Sequence, residues 1–303
     1  MAQRIKNWRR IPAAALALAA ALLSGAATAQ QPAGYVGILG GGPVYMHNDT
    51  NIQELQTAGF NELIVWSVEV GSTGDLNLNG EFPLTSNGKY IGDQKWPQFA
   101  QDLQTIKSGK VRRITFSIGS SNFGDFQNLK ALVDSQGTGK KSILYKDFAA
   151  LAAALPIDAI DLDDENSYDA ESVTKFALML GKLGLHVTMN PYTNAAYWTS
   201  LVAGINGKSP GLVDAIHLQT FAGGQGNSPC AAEWDFGGVP VYPGLSDQTS
   251  APPYSSPELA KQRLAAWHAQ CGITGGWLWI FDQIKGTDLP KQYAHKMIKG
   301  VSG

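Results

Sequence analysis

Apolar positions along the chain follow two periods. Short runs rich in β-branched residues alternate with longer stretches whose apolar residues return every three or four positions. The runs at 35–39, 63–70, 111–118, 157–163, 186–189, 213–221, 239–242 and 277–281 predict strands. The stretches at 51–58, 99–106, 142–154, 171–183, 195–202, 257–270 and 292–298 predict helices. A Gly/Asn/Ser-rich segment from 71 to 94 reads as a loop, and 223–256 as a Gly/Pro/Ser-rich insertion around the seventh strand. Strands alternating with helices predict a parallel sheet, and 303 residues suit a single α/β domain, a (β/α)8 TIM barrel. No internal repeat and no linker interrupts 30–303, so one domain is expected there.

The amino-terminal segment has a different pattern. Arg4, Lys6, Arg9 and Arg10 precede an apolar Ala/Leu-rich run at 11–23, and Ala27-Thr28-Ala29 supplies small residues for cleavage. The run falls short of the ~20 residues that span a bilayer. The expectation is a signal peptide over 1–29, with an uncleaved anchor as the alternative, and a secreted or periplasmic protein without a membrane contact after cleavage. Two cysteines exclude a disulfide-rich scaffold, and in an oxidising compartment Cys230 and Cys271 are free to pair. Lys plus Arg number 23 against 25 Asp plus Glu, a balance that argues against nucleic acid as a partner.

The stretch 156–166, Pro-Ile-Asp-Ala-Ile-Asp-Leu-Asp-Asp-Glu-Asn, carries the candidate chemistry. Side chains alternate along a strand, so Asp161, Asp163 and Glu165 share one face and Ile160 and Leu162 the other. With the apolar face under the helices, three acids point into the barrel or its mouth. Burying such a row costs several kcal/mol unless protons are shared or a cation is held. Fold stability does not ask for it. An exposed acidic loop and a Ca²⁺ or Mg²⁺ site are the alternatives, although the glycine of a Ca²⁺ loop is missing. Glu165 stands at the carboxyl-terminal rim, where barrel active sites lie. A charged Asp163 beside it would keep a proton on Glu165, as protonation of a glycosidic oxygen requires. Asp164 points the other way, as a loop or cap residue.

At these positions the chain resembles glycoside hydrolase family 18, the chitinases and endo-β-N-acetylglucosaminidases. The D-x-x-D-x-D-x-E signature of that family corresponds to Asp158, Asp161, Asp163 and Glu165. The Asp-Asp-Glu ending is similar to endoglycosidases that cut the chitobiose core of N-glycans. Ser117-Ile118-Gly119-Ser120 is similar to the family's S-x-G-G motif, and Gly275-Gly276-Trp277-Leu278-Trp279 to its G-x-x-x-W. The resemblance implies a retaining glycosidase that uses the substrate's acetamide as nucleophile, with no cofactor and no metal. Glu165 would be acid and base, Asp163 would orient the acetamide, and Asp161 would hold or exchange a proton with Asp163. Trp279, Gln219, Tyr192, Asn190 and Phe221 would bind an N-acetylglucosamine-containing oligo- or polysaccharide, and a monomer is expected. Trp277 has the same parity as Trp279 and could exchange roles with it.

Phe221 departs from the family, which usually has a tyrosine there to hold the acetamide. Tyr192 or Tyr242 would have to supply that hydroxyl. A non-catalytic, lectin-like barrel is therefore the alternative function. Trp66, Tyr90, Trp96, Trp234 and Tyr254 are candidates for outer sugar contacts or ordinary packing. Glu69 reads as a surface charge, and the five histidines (47, 186, 217, 268, 295) as core or surface residues without metal-ligand spacing.

Overall fold

Eight parallel strands follow one another around a closed barrel in chain order: β1 (Tyr35–Gly40), β2 (Glu62–Val70), β3 (Arg113–Gly119), β4 (Ala159–Asp163), β5 (His186–Met189), β6 (Val213–Gln219), β7 (Val241–Ser246) and β8 (Gly275–Trp279). Each pairs with the next, and β8 returns to β1 from Tyr35↔Gly275 to Leu39↔Trp279. The computed structural model describes residues 34–120 and 124–302. The expected signal segment 1–29 lies outside them. The fold is a single (β/α)8 TIM barrel, as the alternation predicts.

Helices cover the outside: α1 (Asp49–Thr57), α2 (Phe99–Lys107), α3 (Asp125–Gln136), α4 (Ile143–Ala154), α5 (Ala170–Lys182), α6 (Ala195–Lys208), α7 (Pro257–Cys271) and α8 (Leu289–Val301). Their starts are written in polar side chains. Asn48, Ser142, Asp169 and Ser256 each accept a hydrogen bond from the backbone N–H three residues on. Pro257 fits the first turn of α7, where no N–H is needed. Leu63 and Val65 of β2, turned toward the helices, and Phe176 and Leu180 of α5 belong to one core between barrel and helices. Cys230 and Cys271 form a disulfide that ties the β6–β7 loop to the end of α7.

Three sequence expectations are corrected. Residues 71–94 are not simply loop: Leu76–Leu78 pairs with Phe82–Pro83, and Thr85–Ser86 with Lys89–Tyr90. Asn79-Gly80 and Asn87-Gly88 make the turns with both residues at positive φ, the Asn-Gly hairpin signal. Helix α3 was not anticipated, although its buried Phe126, Leu129, Leu132 and Val133 carry helical spacing. Finally, β6 ends at Gln219 and β4 begins at Ala159, so Phe221 and Asp158 lie just outside the strands expected to hold them.

Candidate active site

Strand β4 aims its acids inward, as alternation requires. Asp161 lies opposite Ser117 of β3 and Thr188 of β5, and Asp163 lies opposite Gly119. Gly119 adopts a φ of +91°, and a Cβ there would come 2.5 Å from the Asp163 carbonyl oxygen. A glycine is needed where the two strands approach so closely. Glu165 follows β4 in the loop above the barrel. Asp164 turns away and caps that loop, accepting from the backbone N–H groups of Asn166, Ser167 and Tyr168. Asp158, the first acid of the motif, sits at the opposite end and pairs with Lys107 at 2.6 Å.

The three inward acids occupy successive depths. Asp161 is fully buried, Asp163 is almost so, and Glu165 is half-buried. Asp161 Oδ1 accepts from Thr188 Oγ1 and lies 2.9 Å from His217 Nδ1. Its Oδ2 accepts from Ser117 Oγ at 3.1 Å and Asn190 Nδ2 at 3.0 Å. Burial opposes ionisation of Asp161, but His217 and these hydrogen bonds hold its carboxyl below the usual range. Asp163 is pushed well above its ordinary value, chiefly by burial and then by the charges of Glu165 and Asp161. Gln219 Nε2 donates to Asp163 Oδ1 at 3.1 Å. Glu165 is also raised, first by burial and then by Asp164. The sequence predicts a raised Glu165 because of a charged Asp163; the direction holds, but the cause is burial followed by Asp164, while Asp163 is itself raised.

Above the acids opens a cleft of about 340 Å³, lined by Asp163, Glu165, Asn190, Gln219 and Tyr192 on its polar side. Trp66, Phe221, Trp277 and Trp279 form much of its apolar wall. Phe221 stands 5.5 Å from Trp277 and 6.1 Å from Trp279 between ring centroids, and Trp66 meets Trp279 edge-on at 5.3 Å. The wall depends on Gly244 of β7, where a Cβ would fall 2.5 Å from the Trp277 ring. Asn190 Oδ1 is buried without a partner among the described residues. An unpaired acceptor in a cleft is a ready contact for a donor on a ligand.

Every sequence-predicted site residue except Asp161 lines this cleft, and Asp161 supports it from below. Both Trp277 and Trp279 contribute, so neither replaces the other. Trp66 joins them, whereas Tyr90, Trp96, Trp234 and Tyr254 do not line it. Of the two tyrosines considered as hydroxyl donors, Tyr192 is at the cleft, but Tyr242 is fully buried and stacks on Tyr35 at 3.9 Å. Tyr242 cannot reach a ligand. The sequence reading missed the involvement of His217 and Glu62. Their signal was parity: His217 stands two residues before Gln219, on the same face of β6.

Known structures share this architecture. A fungal endo-β-N-acetylglucosaminidase of glycosyl hydrolase family 18 superposes with a TM-score of 0.67 at 16% identity, over 88% of this chain and 98% of that one. The catalytic domain of a family GH18 chitinase from the fern Peteris ryukyuensis gives 0.59 at 12% identity, over 89% and 100%. A plant class V chitinase mutant from Cycas revoluta, in complex with (GlcNAc)3, gives 0.53 at 11%, over 86% and 99%. No family model matches the sequence, and no curated protein matches it. The chain has the fold of glycoside hydrolase family 18.

Proposed function

We propose that this protein is a secreted glycoside hydrolase that cleaves β-1,4 bonds in N-acetylglucosamine-containing glycans with retention, using the substrate's own acetamide. The observation that carries the reading is the row Asp161, Asp163 and Glu165 rising into an aromatic-walled cleft. Glu165, at the cleft and raised from its ordinary value by burial, protonates the leaving glycosidic oxygen. The acetamide oxygen attacks the anomeric carbon from the other side, forming an oxazolinium ring as the C–O bond breaks. Asp163 faces the acetamide nitrogen and stabilises the positive charge that develops there. Glu165 then takes a proton from the water that opens the ring. Trp66 and Trp279 offer flat faces to sugar C–H groups, while Gln219, Asn190 and Tyr192 offer polar contacts. The two enzyme classes with this fold, one of them solved with (GlcNAc)3, support the substrate class.

A lectin-like barrel is the second reading, favoured by Phe221, which leaves that wall of the cleft without a hydroxyl. Assays on chitin oligomers, peptidoglycan and a high-mannose glycoprotein separate the two. Product from any of them, with Glu165→Gln lowering turnover ~10²–10⁴-fold, supports the enzyme. Binding without product from all three supports the lectin, and unchanged turnover in Glu165→Gln removes Glu165 from the mechanism.

A further inference from the structure

Beneath the carboxylate row, the barrel interior holds a second set of charged groups that the proposed chemistry does not use. His217 of β6 is fully buried, and both of its ring nitrogens face oxygen atoms. Nδ1 lies 2.9 Å from Asp161 Oδ1, and Nε2 lies 2.9 Å from the Tyr35 hydroxyl. Tyr35 gives its own proton to Glu62 Oε2, so its oxygen can only accept from His217. Asp161 is likewise an acceptor, with donors on both oxygens from Thr188, Ser117 and Asn190. With Tyr35 accepting at one end and an ionised Asp161 at the other, His217 donates at both nitrogens, and a doubly donating imidazole is a cation.

We propose that His217, held as an imidazolium above Glu62, is a positioning residue that keeps Asp161 an ionised acceptor and so confines the mobile proton of the carboxylate row to Asp163 and Glu165. This rests on the hydrolase reading for its purpose, though not for its geometry. An Asp161 surrounded by four donors has no lone pair left for a proton, so the proton exchange between Asp161 and Asp163 implied by the family resemblance is blocked in the resting site. The proton remains at the cleft, where Glu165 passes it to the leaving oxygen.

The surroundings of His217 agree with a cation. Glu62 of β2 stands 3.6 Å from Nε2, and Arg113 of β3 lies 3.3 Å from the other Glu62 oxygen. Asp161 faces it from β4, Tyr35 from β1, and the Trp277 ring lies 6.1 Å away on β8. Tyr242 of β7 lies opposite His217 in the strand register, and Thr188 of β5 donates to the same Asp161 oxygen that His217 faces. Burial alone would lower the His217 pKa, but Asp161 and Glu62 outweigh it and raise it to about 9. Glu62 in turn is held down to about 2, burial being overcome by Arg113 and His217.

The test is nitrogen-15 NMR of the full chain with labelled histidine, the His217 signal being assigned by its loss in His217→Asn. The expected result at about pH 7.5, a unit above the ordinary histidine value, is an imidazolium spectrum for His217. A neutral imidazole overturns the proposal. Kinetics of His217→Asn on a reporter glycoside should show a reduced kcat, a KM changed less than about threefold, and an acidic limb moved up by about one pH unit. An unmoved limb in folded protein overturns the proposal and leaves His217 a packing residue. Should His217→Asn not fold, Glu62→Gln keeps the ring in place and must lower its titration midpoint; an unchanged midpoint is equally fatal. Absence of hydrolysis by the wild type would sink the proposed function while the NMR titration still decides the charge of His217.

Discussion

Stability should fall as the pH rises from 6.5 to 9, and His217 should be a principal reason. In the unfolded chain a histidine titrates near 6.5, whereas in the barrel His217 is raised to about 9. A group whose pKa is higher when folded stabilises fully below its unfolded value and loses that contribution as the pH climbs through the folded one. A rise from 6.5 to about 9 is worth on the order of 3 kcal/mol. For a domain of this size each kcal/mol moves Tm by roughly 2–4 °C, so the loss amounts to ~6–12 °C. Asp163, also raised, loses stability in the same direction but from near pH 4 upward, which is why the variant comparison is needed. The measurement is calorimetric Tm at pH 6 and pH 9.5 for wild type and His217→Asn. The variant is the less stable at pH 6, because it leaves Asp161 and Glu62 without their shared cation. Its fall between the two pH values should be shallower by the stated amount. Parallel wild-type and variant curves would refute the charge assigned to His217.

Phe221→Tyr adds a hydroxyl to the cleft wall beside Trp277 and Trp279 and should raise kcat on chitin oligomers ~10²-fold, the usual worth of one positioned donor; an unchanged or lower kcat shows that Tyr192 already fills the role or that the ring faces elsewhere. Gly244→Ala drives a methyl into the Trp277 ring, with an expected loss of about 1–3 kcal/mol by thermal unfolding and a lower kcat/KM; wild-type values would show that the ring yields freely. Cys230→Ser with Cys271→Ser opens a 41-residue loop and should cost about 4 kcal/mol, read as a lower Tm in the absence of reductant. A Tm within a degree of wild type would mean that packing of Trp234 and Phe236 holds that loop without the bridge.

Much of the barrel was legible because its signals are local. Strands such as β2 are nearly unbroken apolar runs, and the caps at Asn48, Ser142, Asp169 and Ser256 stand where hydrogen-bonding geometry puts them. The hairpins at 76–90 escaped because strands of two or three residues carry no period, although their Asn-Gly turns were visible. Helix α3 escaped although its apolar spacing was present between two stretches of glycine and polar residues.

The candidate site divides in the same way. Alternation along one strand sufficed to put Asp161, Asp163 and Glu165 on a common face, since that depends only on the pleat of β4. Which acid holds a proton depends on groups distant in sequence: His217 is 56 positions from Asp161, and Tyr35 is 182 from His217. The choice between Tyr192 and Tyr242 likewise depended on closure of the barrel, which buried one ring beneath the floor and left the other at the rim. Side-chain direction is a property of the local backbone and can be read from the chain; burial and the pairing of charges arise only when eight strands enclose a common interior.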